Sequence, residues 1–257
     1  DIIITVLTSM HLQEGDHFLN GIIAMILQKT EKFNIGKLKK MDSIKEIDEK
    51  TKELISQYFN IESEYRYALR VMSAKLENLD DYCQSHFDHN PIHHMESRIK
   101  TPESILEKMV RRNYPLTFDE LKKNIYDIAG IRVVCNYIND IYQIIKLLSM
   151  QKDLTLRLSK DYIIKPKDTG YRSFHLVYEV EIYMHNELKM VPVEIQFRTL
   201  AMDMWASLEH ELRYKSKNSL SEKDKANLKK YSDDLYNVDL NMQRIYIATT
   251  VGDDDND

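Results

Sequence analysis

Cysteine, glycine, proline and tryptophan are all scarce in this chain, with 2 Cys, 6 Gly, 5 Pro and 1 Trp among 257 residues. Two cysteines, Cys83 and Cys135, cannot build the spaced framework of a disulfide-stapled secreted scaffold or a four-cysteine zinc module. One disulfide between them is the most they can form, and both stand in segments that read as regular structure, a usage suited to a reducing compartment. Long apolar runs are missing too. "DIIITVLTSM" and "GIIAMIL" fall well short of the roughly 20 residues of a spanning helix. With Asp1 at the start and Glu14 and Asp16 between them, they also lack the basic opening of an export signal. The expectation is a cytoplasmic protein with no membrane segment. Excess positive charge is likewise absent: 36 Lys and Arg face 41 Asp and Glu, for a net charge of −5. That balance does not indicate RNA or a general nucleic-acid partner, so any anion site must be local. No GxSxG elbow, Walker loop or dinucleotide fingerprint occurs.

What is present is enough chain for a full core and strong periodicity. From Ile44 through Ile47, Leu54, Tyr58, Ile61, Tyr65, Leu69, Met72 and Leu76 to Leu79, apolar residues recur at three- and four-residue steps, predicting one long amphipathic helix or two in line. A second helix is expected from Pro102 to Asn113, with Thr101 as N-cap and Pro102 in its first turn. The period then changes. "GIRVVCNY" reads as a strand, "DIYQIIKLLSM" as a helix and "LTLRLSKDYII" as a strand. Ser173 to Tyr183 and Val191 to Arg198 alternate cleanly, and a four-residue loop "HNEL" would pair Tyr183 with Met190 and Glu179 with Glu194. In that hairpin His175, Glu194, Gln196 and Arg198 share one polar face, which a solvated sheet surface would also explain. Helical periodicity returns at Met202, Trp205, Leu208 and Leu212. It continues at Leu228, Tyr231, Leu235, Val238, Met242 and Ile245, a seam that asks for a partner helix in this chain or another subunit.

These patterns predict an α+β fold: a mixed sheet of about five strands, helices on its apolar side, and long helices at both ends. The expected organisation is an extension over 1–40, a helical region over 41–89, a central domain over 90–216, an oligomerisation helix over 217–250 and an acidic tail over 251–257.

Four constellations carry chemistry. "ESRIKTPESILEK" supplies Arg98, Lys100, Ser104 and Lys108, with Ser104 and Lys108 one turn apart on a helix start. Both a polyphosphate cradle and a solvated basic face satisfy that spacing. "YDIAGIRVV" sets Asp127 and Arg132 around the mouth of a strand, where a carboxylate suits Mg²⁺ held jointly with substrate phosphates, and Glu194 is the natural second carboxylate. "KPKDTGYRSFH" gathers Lys165 and Lys167 for phosphate, Gly170 for a close turn, Tyr171 for stacking on a base, and His175. Cys83, His86, His89, His93 and His94 crowd together, but at spacings that match no standard zinc module.

Taken together and in this order, "SRIKTPESILEK", "YDIAGIRVV", "DYIIKPKDTGYRSFHLVYEV" and "VPVEIQFRTLAMDMWASLEHELRYK" closely resemble the synthetase domain of the RelA/SpoT family, in its synthesis-only small alarmone synthetase branch. The resemblance covers about 90–215. It implies a nucleotidyltransferase-like sheet and a GTP pyrophosphokinase that moves the β,γ-pyrophosphate of ATP to the 3′-hydroxyl of GDP or GTP, giving (p)ppGpp and AMP. It also implies roles. Arg98 and Arg132 would sandwich adenine, and Lys100, Ser104 and Lys108 would hold ATP phosphates. Asp127 and Glu194 would bind Mg²⁺, with Glu194 also the candidate base for the 3′-hydroxyl. Tyr171 would stack on guanine, while Lys165, Lys167, His175 and Gln196 would line the acceptor side. Small members of the family assemble through terminal helices, which implies a homotetramer. Thr169 and Asp203 depart from the family pattern, where Asn is common at both.

Overall fold

The computed structural model describes residues 49–184, 186–214 and 220–250, so the expectations for 1–40, for Ile44 and Ile47, and for the acidic tail lie outside the described residues. Helix α1 (Glu49–His86) is one continuous element, not two in line. Its inward stripe, Leu54, Tyr58, Ile61, Tyr65, Leu69, Met72 and Leu76, is buried throughout, each large apolar side chain worth roughly 1.5–3 kcal/mol. One residue of that stripe also reaches toward the functional face: the Tyr58 hydroxyl donates to the Lys100 carbonyl at 2.8 Å.

Five strands follow: β1 (Ile92–Ile99), β2 (Ala129–Cys135), β3 (Leu154–Asp161), β4 (Phe174–Met184) and β5 (Glu187–Thr199). They lie in the order β1-β2-β5-β4-β3, with β2 and β5 parallel and every other pair antiparallel. Strand β1 is the element whose alternation the sequence hides. "IHHMESRI" is an edge strand with most side chains outside the core, so its burial imposes no clean two-residue period. The central β2, "AGIRVVC", is buried along nearly its whole length, as a strand with neighbours on both sides must be.

The hairpin differs from expectation in register. Met184 pairs with Glu187, Tyr183 with Leu188 and Glu179 with Pro192, so the pairing runs two residues further than a four-residue loop allows, and Val177 lies opposite Glu194. The slip is two places. Because side chains alternate with period two, an even slip leaves every residue on its face, and His175, Glu194 and Gln196 still share one surface.

Between strands run α2 (Pro102–Arg111), α3 (Phe118–Asn124) and α4 (Ile138–Ser149). The Thr101 side chain accepts from the Ser104 amide as the expected N-cap. The short α3, capped by Thr117, is not foreshadowed by periodicity because seven residues make only about two turns. After β5 come α5 (Leu200–Tyr214) and α6 (Glu222–Thr250).

Helix α6 docks onto the domain that precedes it. Trp205 Nε1 donates to the Leu228 carbonyl at 2.9 Å, Thr199 Oγ1 donates to Asp239 Oδ2 at 2.6 Å, and the Tyr246 ring stacks on Tyr137 at 4.6 Å. The seam read from the sequence is only partly covered: Leu228 and Leu235 are half-buried, but Tyr231, Val238, Met242 and Ile245 are exposed.

Burial of Asp239 where α6 docks on the end of β5 pushes its carboxyl up to about 6, against the opposing hydrogen bond from Thr199. A carboxyl raised in the fold favours the protonated native state, so its contribution is complete below the unfolded value of about 3.9 and lost as pH rises through about 6. Asp239→Asn, neutral at every pH and still an acceptor for Thr199, is expected to stabilise the protein by about 1–2 kcal/mol at pH 7.5 after allowance for partial solvent screening. At pH 4 the gain should vanish. Urea midpoints at the two pH values check this; an equal gain at both would show that the carboxyl is not raised.

Candidate active site

The polar face of the sheet collects side chains from five elements. Lys100 follows β1, Lys108 lies on α2, Asp127 precedes β2, Glu194, Gln196 and Arg198 lie along β5, and His175 opens β4. The register sets the spacing: Arg98 lies beside Gly130 and Gly130 beside Glu194, while one step along, Glu96 lies beside Arg132 and Arg132 beside Gln196. Gly130 has no side chain to fill the space between Arg98 and Glu194. Those residues, with Asp127, Arg132 and Gln196, line one pocket.

Asp127 sits between two ammonium groups, Lys100 Nζ at 2.9 Å from Oδ2 and Lys108 Nζ at 2.8 Å from Oδ1. Burial works to raise its carboxyl, but the two lysines outweigh it and hold the group below the usual carboxylate range. Glu194 is held differently. Gln196 Nε2 donates to Oε2 at 2.6 Å and His175 Nδ1 lies 3.3 Å from Oε1. Burial again raises the carboxyl, as does the charge of Asp127, while His175 and Gln196 lower it; the net direction is down. Both carboxyls are therefore ionised at neutral pH, with Glu194 feeling the charge of Asp127 across the pocket.

A second cluster adjoins the first. The Tyr171 hydroxyl lies 2.8 Å from His175 Nε2 and accepts from Arg198 Nη2 at 2.8 Å. Arg198 also donates to Gln196 Oε1 at 3.1 Å and to Asp203 Oδ1 at 2.9 Å. Lys167 Nζ stands over two rings, 4.4 Å from the centre of Tyr171 and 4.7 Å from that of Tyr162. Burial lowers the Lys167 ammonium; Glu194 opposes, and the neighbouring cations Arg112, Lys160 and Arg198 add to the lowering. A lysine disfavoured as an ammonium by burial and neighbouring cations gains from the arrival of an anion. Arg132 joins the two clusters, with Nη1 3.2 Å from Glu96 and Nε 3.2 Å from Asp203.

Of the residues singled out in the sequence, Arg98, Lys100, Lys108, Asp127, Arg132, Lys167, Tyr171, His175, Glu194 and Gln196 thus fall on one continuous face. Two stand at its margin. Ser104 hydrogen-bonds Thr101 at the start of α2, and Lys165 is exposed on the loop before Gly170. Sequence reasoning left out Glu96, because β1 was unread, and Tyr162, which precedes the loop. It noted Asp203 only as a departure, whereas Asp203 joins Arg132 to Arg198; its place four residues past Thr199, on the first turn of α5, was the available signal. The histidine cluster divides: His93 and His94 remain in contact, their Nδ1 atoms 2.8 Å apart, while the others turn elsewhere. His89 binds Asp140 at 3.0 Å, His86 stacks on Tyr82 at 4.2 Å, and among the described residues no three His, Cys, Asp or Glu side chains gather to hold a metal. Cys83 and Cys135 are both buried and free.

Comparison with known proteins points the same way as the geometry. The family described as "Region found in RelA / SpoT proteins" matches residues 97–219. The chain is 39% identical over 178 residues to the GTP pyrophosphokinase YwaC of Bacillus subtilis, covering 69% of this chain and 85% of that one. It is 38% identical over 181 residues to the GTP pyrophosphokinase YjbM of the same organism, covering 70% and 84%. Among solved structures, the small alarmone synthetase 1 of Bacillus subtilis bound to its product pppGpp superposes with a TM-score of 0.70 at 36% identity, over 76% of this chain and 98% of that one. The same enzyme bound to AMPCPP gives 0.63 at 34% identity, over 74% and 96%. The chain belongs to the RelA/SpoT family, in its small alarmone synthetase branch. Among the described residues, no helix is long and apolar enough to cross a membrane.

Proposed function

We propose that this chain is a GTP pyrophosphokinase, which transfers the β,γ-pyrophosphate of ATP to the 3′-hydroxyl of GDP or GTP and releases AMP and (p)ppGpp. The observation that carries the reading is the pairing of Asp127 and Glu194 in one pocket, with the arginines Arg98 and Arg132 beside them and the Lys167, Tyr171 and His175 cluster next to it. Transfer of a pyrophosphoryl group depends on positioning and charge neutralisation more than on covalent chemistry. Arg98 and Arg132 hold the adenine. Lys100 and Lys108, which neutralise Asp127 in the absence of substrate, turn to the ATP phosphates when nucleotide is bound, with Ser104 assisting at the start of α2. Tyr171 stacks on guanine, and Lys165, Lys167, His175 and Gln196 hold the acceptor nucleotide.

Two ionised carboxylates facing one pocket fit Mg²⁺ held jointly with substrate phosphates better than an all-protein cage. Asp127 and Glu194 would hold the ion, which would supply charge neutralisation on the phosphates. Glu194 also takes the 3′-hydroxyl proton through its second oxygen, oriented by Gln196 and His175. The exposed seam of α6 serves as the face of a homotetramer, and the enzyme works in the cytoplasm.

Incubation of the purified chain with ATP, Mg²⁺ and GDP or GTP, resolved by anion exchange, tests the reading. Equimolar AMP and a more highly phosphorylated guanosine nucleotide are expected, and EDTA should reduce the rate at least about 100-fold. Guanine-nucleotide binding without AMP would identify a regulator on this fold instead.

A further inference from the structure

Gly170, at the turn of the loop that carries Lys167 and Tyr171, has a φ of 94°, a conformation that side chains disfavour. It is also sealed against α6. A Cβ at this position would lie 3.0 Å from Lys229 Cα and 3.1 Å from Ser232 Cβ. The backbone of the loop therefore packs directly on the backbone of a helix that begins more than fifty residues later in the chain. Ser232 is 5% exposed, and its hydroxyl donates to the Gly170 carbonyl at 2.5 Å. One residue further along α6, Asp233 accepts from Arg172 Nη2 at 2.8 Å. The Arg172 guanidinium lies 4.1 Å from the centre of the Tyr236 ring, and its other terminal nitrogen donates to the Ile163 carbonyl at 2.5 Å. The far end of the loop is thus tied to the same helix as its turn. Within the loop, Gly170 and Lys167 close a further bond, from the Gly170 amide to the Lys167 carbonyl at 2.8 Å.

We propose that α6 is the strap that sets the acceptor-nucleotide loop, with Ser232 and Asp233 as positioning residues for Lys167 and Tyr171. This rests on the assignment of that loop to the acceptor. Neither residue touches the pocket of Asp127 and Glu194. Their effect passes through the conformation of Gly170 and Arg172, so it falls on acceptor binding and not on ATP or on the transfer step. A loop held in its binding geometry by the strap loses little entropy when the nucleotide arrives; a released loop must be ordered by the nucleotide itself.

The test is calorimetric titration of the full chain with GDP alone, which needs no turnover, together with steady-state kinetics. Ser232→Ala should weaken GDP about 3- to 10-fold, the range for one lost hydrogen bond, and Ser232→Ala combined with Asp233→Asn should weaken it further. Acceptor KM should rise in step, while ATP KM and kcat at saturating acceptor stay put. Asp233→Glu should recover most of the loss of Asp233→Ala. Trp205 is the only tryptophan and bonds the Leu228 carbonyl of α6, so its emission reports whether the helix remains docked. GDP affinity equal to wild type in the double variant overturns the proposal. So does a parallel loss of GDP and ATP affinity with a red-shifted Trp205 emission, which marks α6 as merely structural. Wild type that binds GDP but releases no AMP would instead overturn the pyrophosphokinase reading, leaving the strap to be judged on GDP affinity.

Discussion

Asp127→Asn is expected to lower kcat by at least about 10³-fold, the loss typical when a preorganised charge is removed from a transition state. The substitution keeps the shape of the side chain and discards its charge. Two consequences follow from the geometry. No anion remains to anchor a cation in the pocket, and Lys100 and Lys108, each within 3 Å of the carboxylate in wild type, face one another without a counter-charge. The second effect reaches the fold. Because the lysines hold Asp127 below its ordinary range, its ion pairs stabilise the native state above the unfolded carboxylate value and cease to do so as pH falls through the lower folded value. The variant should thus be less stable than wild type by about 1–2 kcal/mol near neutrality, discounted because water reaches both lysines. The deficit should close in acid. AMP release and thermal unfolding at two pH values measure both effects, and a variant that turns over normally would remove Asp127 from the mechanism.

Glu194→Gln should cost about 10²–10⁴ in kcat, the usual range for loss of a positioned acid–base group, with a much smaller effect on stability. Glu194 is bracketed by Gln196 and His175, partners that a glutamine amide can still engage. What disappears is the charge that attracts a metal ion and the lone pair that accepts the 3′-hydroxyl proton. The pH profile separates this from a general disturbance of the site. His175 and Gln196 hold the Glu194 carboxyl below its usual range despite burial, so in wild type the acid limb of kcat due to this group should lie below that of an ordinary glutamate. In the variant the residual rate should lose that limb. Residual activity with the wild-type limb intact would assign the base role to another group.

The site was legible in proportion to how local its determinants are. The motif around Lys100, Ser104 and Lys108 depends on a helix start that Thr101 and Pro102 signal within a few residues. The polar face of β4 and β5 follows from strict alternation, and it survived an error of two places in the hairpin register because only parity assigns faces. Strand β1 escaped because an edge strand need bury only part of one side, so no apolar period marks it. With β1 unread, the Glu96 partner of Arg132 could not be placed. The spacing of the histidines near its start matches no standard zinc module, and in the structure His89 pairs with Asp140 of α4 while His93 and His94 stay side by side on β1.

Periodicity, cap residues and ordered motifs therefore determined most of the element types, β1 and α3 excepted, the α+β class and the identities of the carboxylates, lysines and arginines that face the pocket. Only the tertiary structure decided which of them touch. Asp127 meets Lys100 and Lys108 because Lys100 and then α2 follow β1, which pairs with β2, and Asp203 joins Arg132 to Arg198 because α5 follows directly on β5. The seating of Gly170 against Lys229 and Ser232 is the extreme case. Contacts between residues so far apart in sequence carry no local periodic signal, since the closure of that loop is decided by the free energy of the whole packed domain and not by the preference of any segment within it.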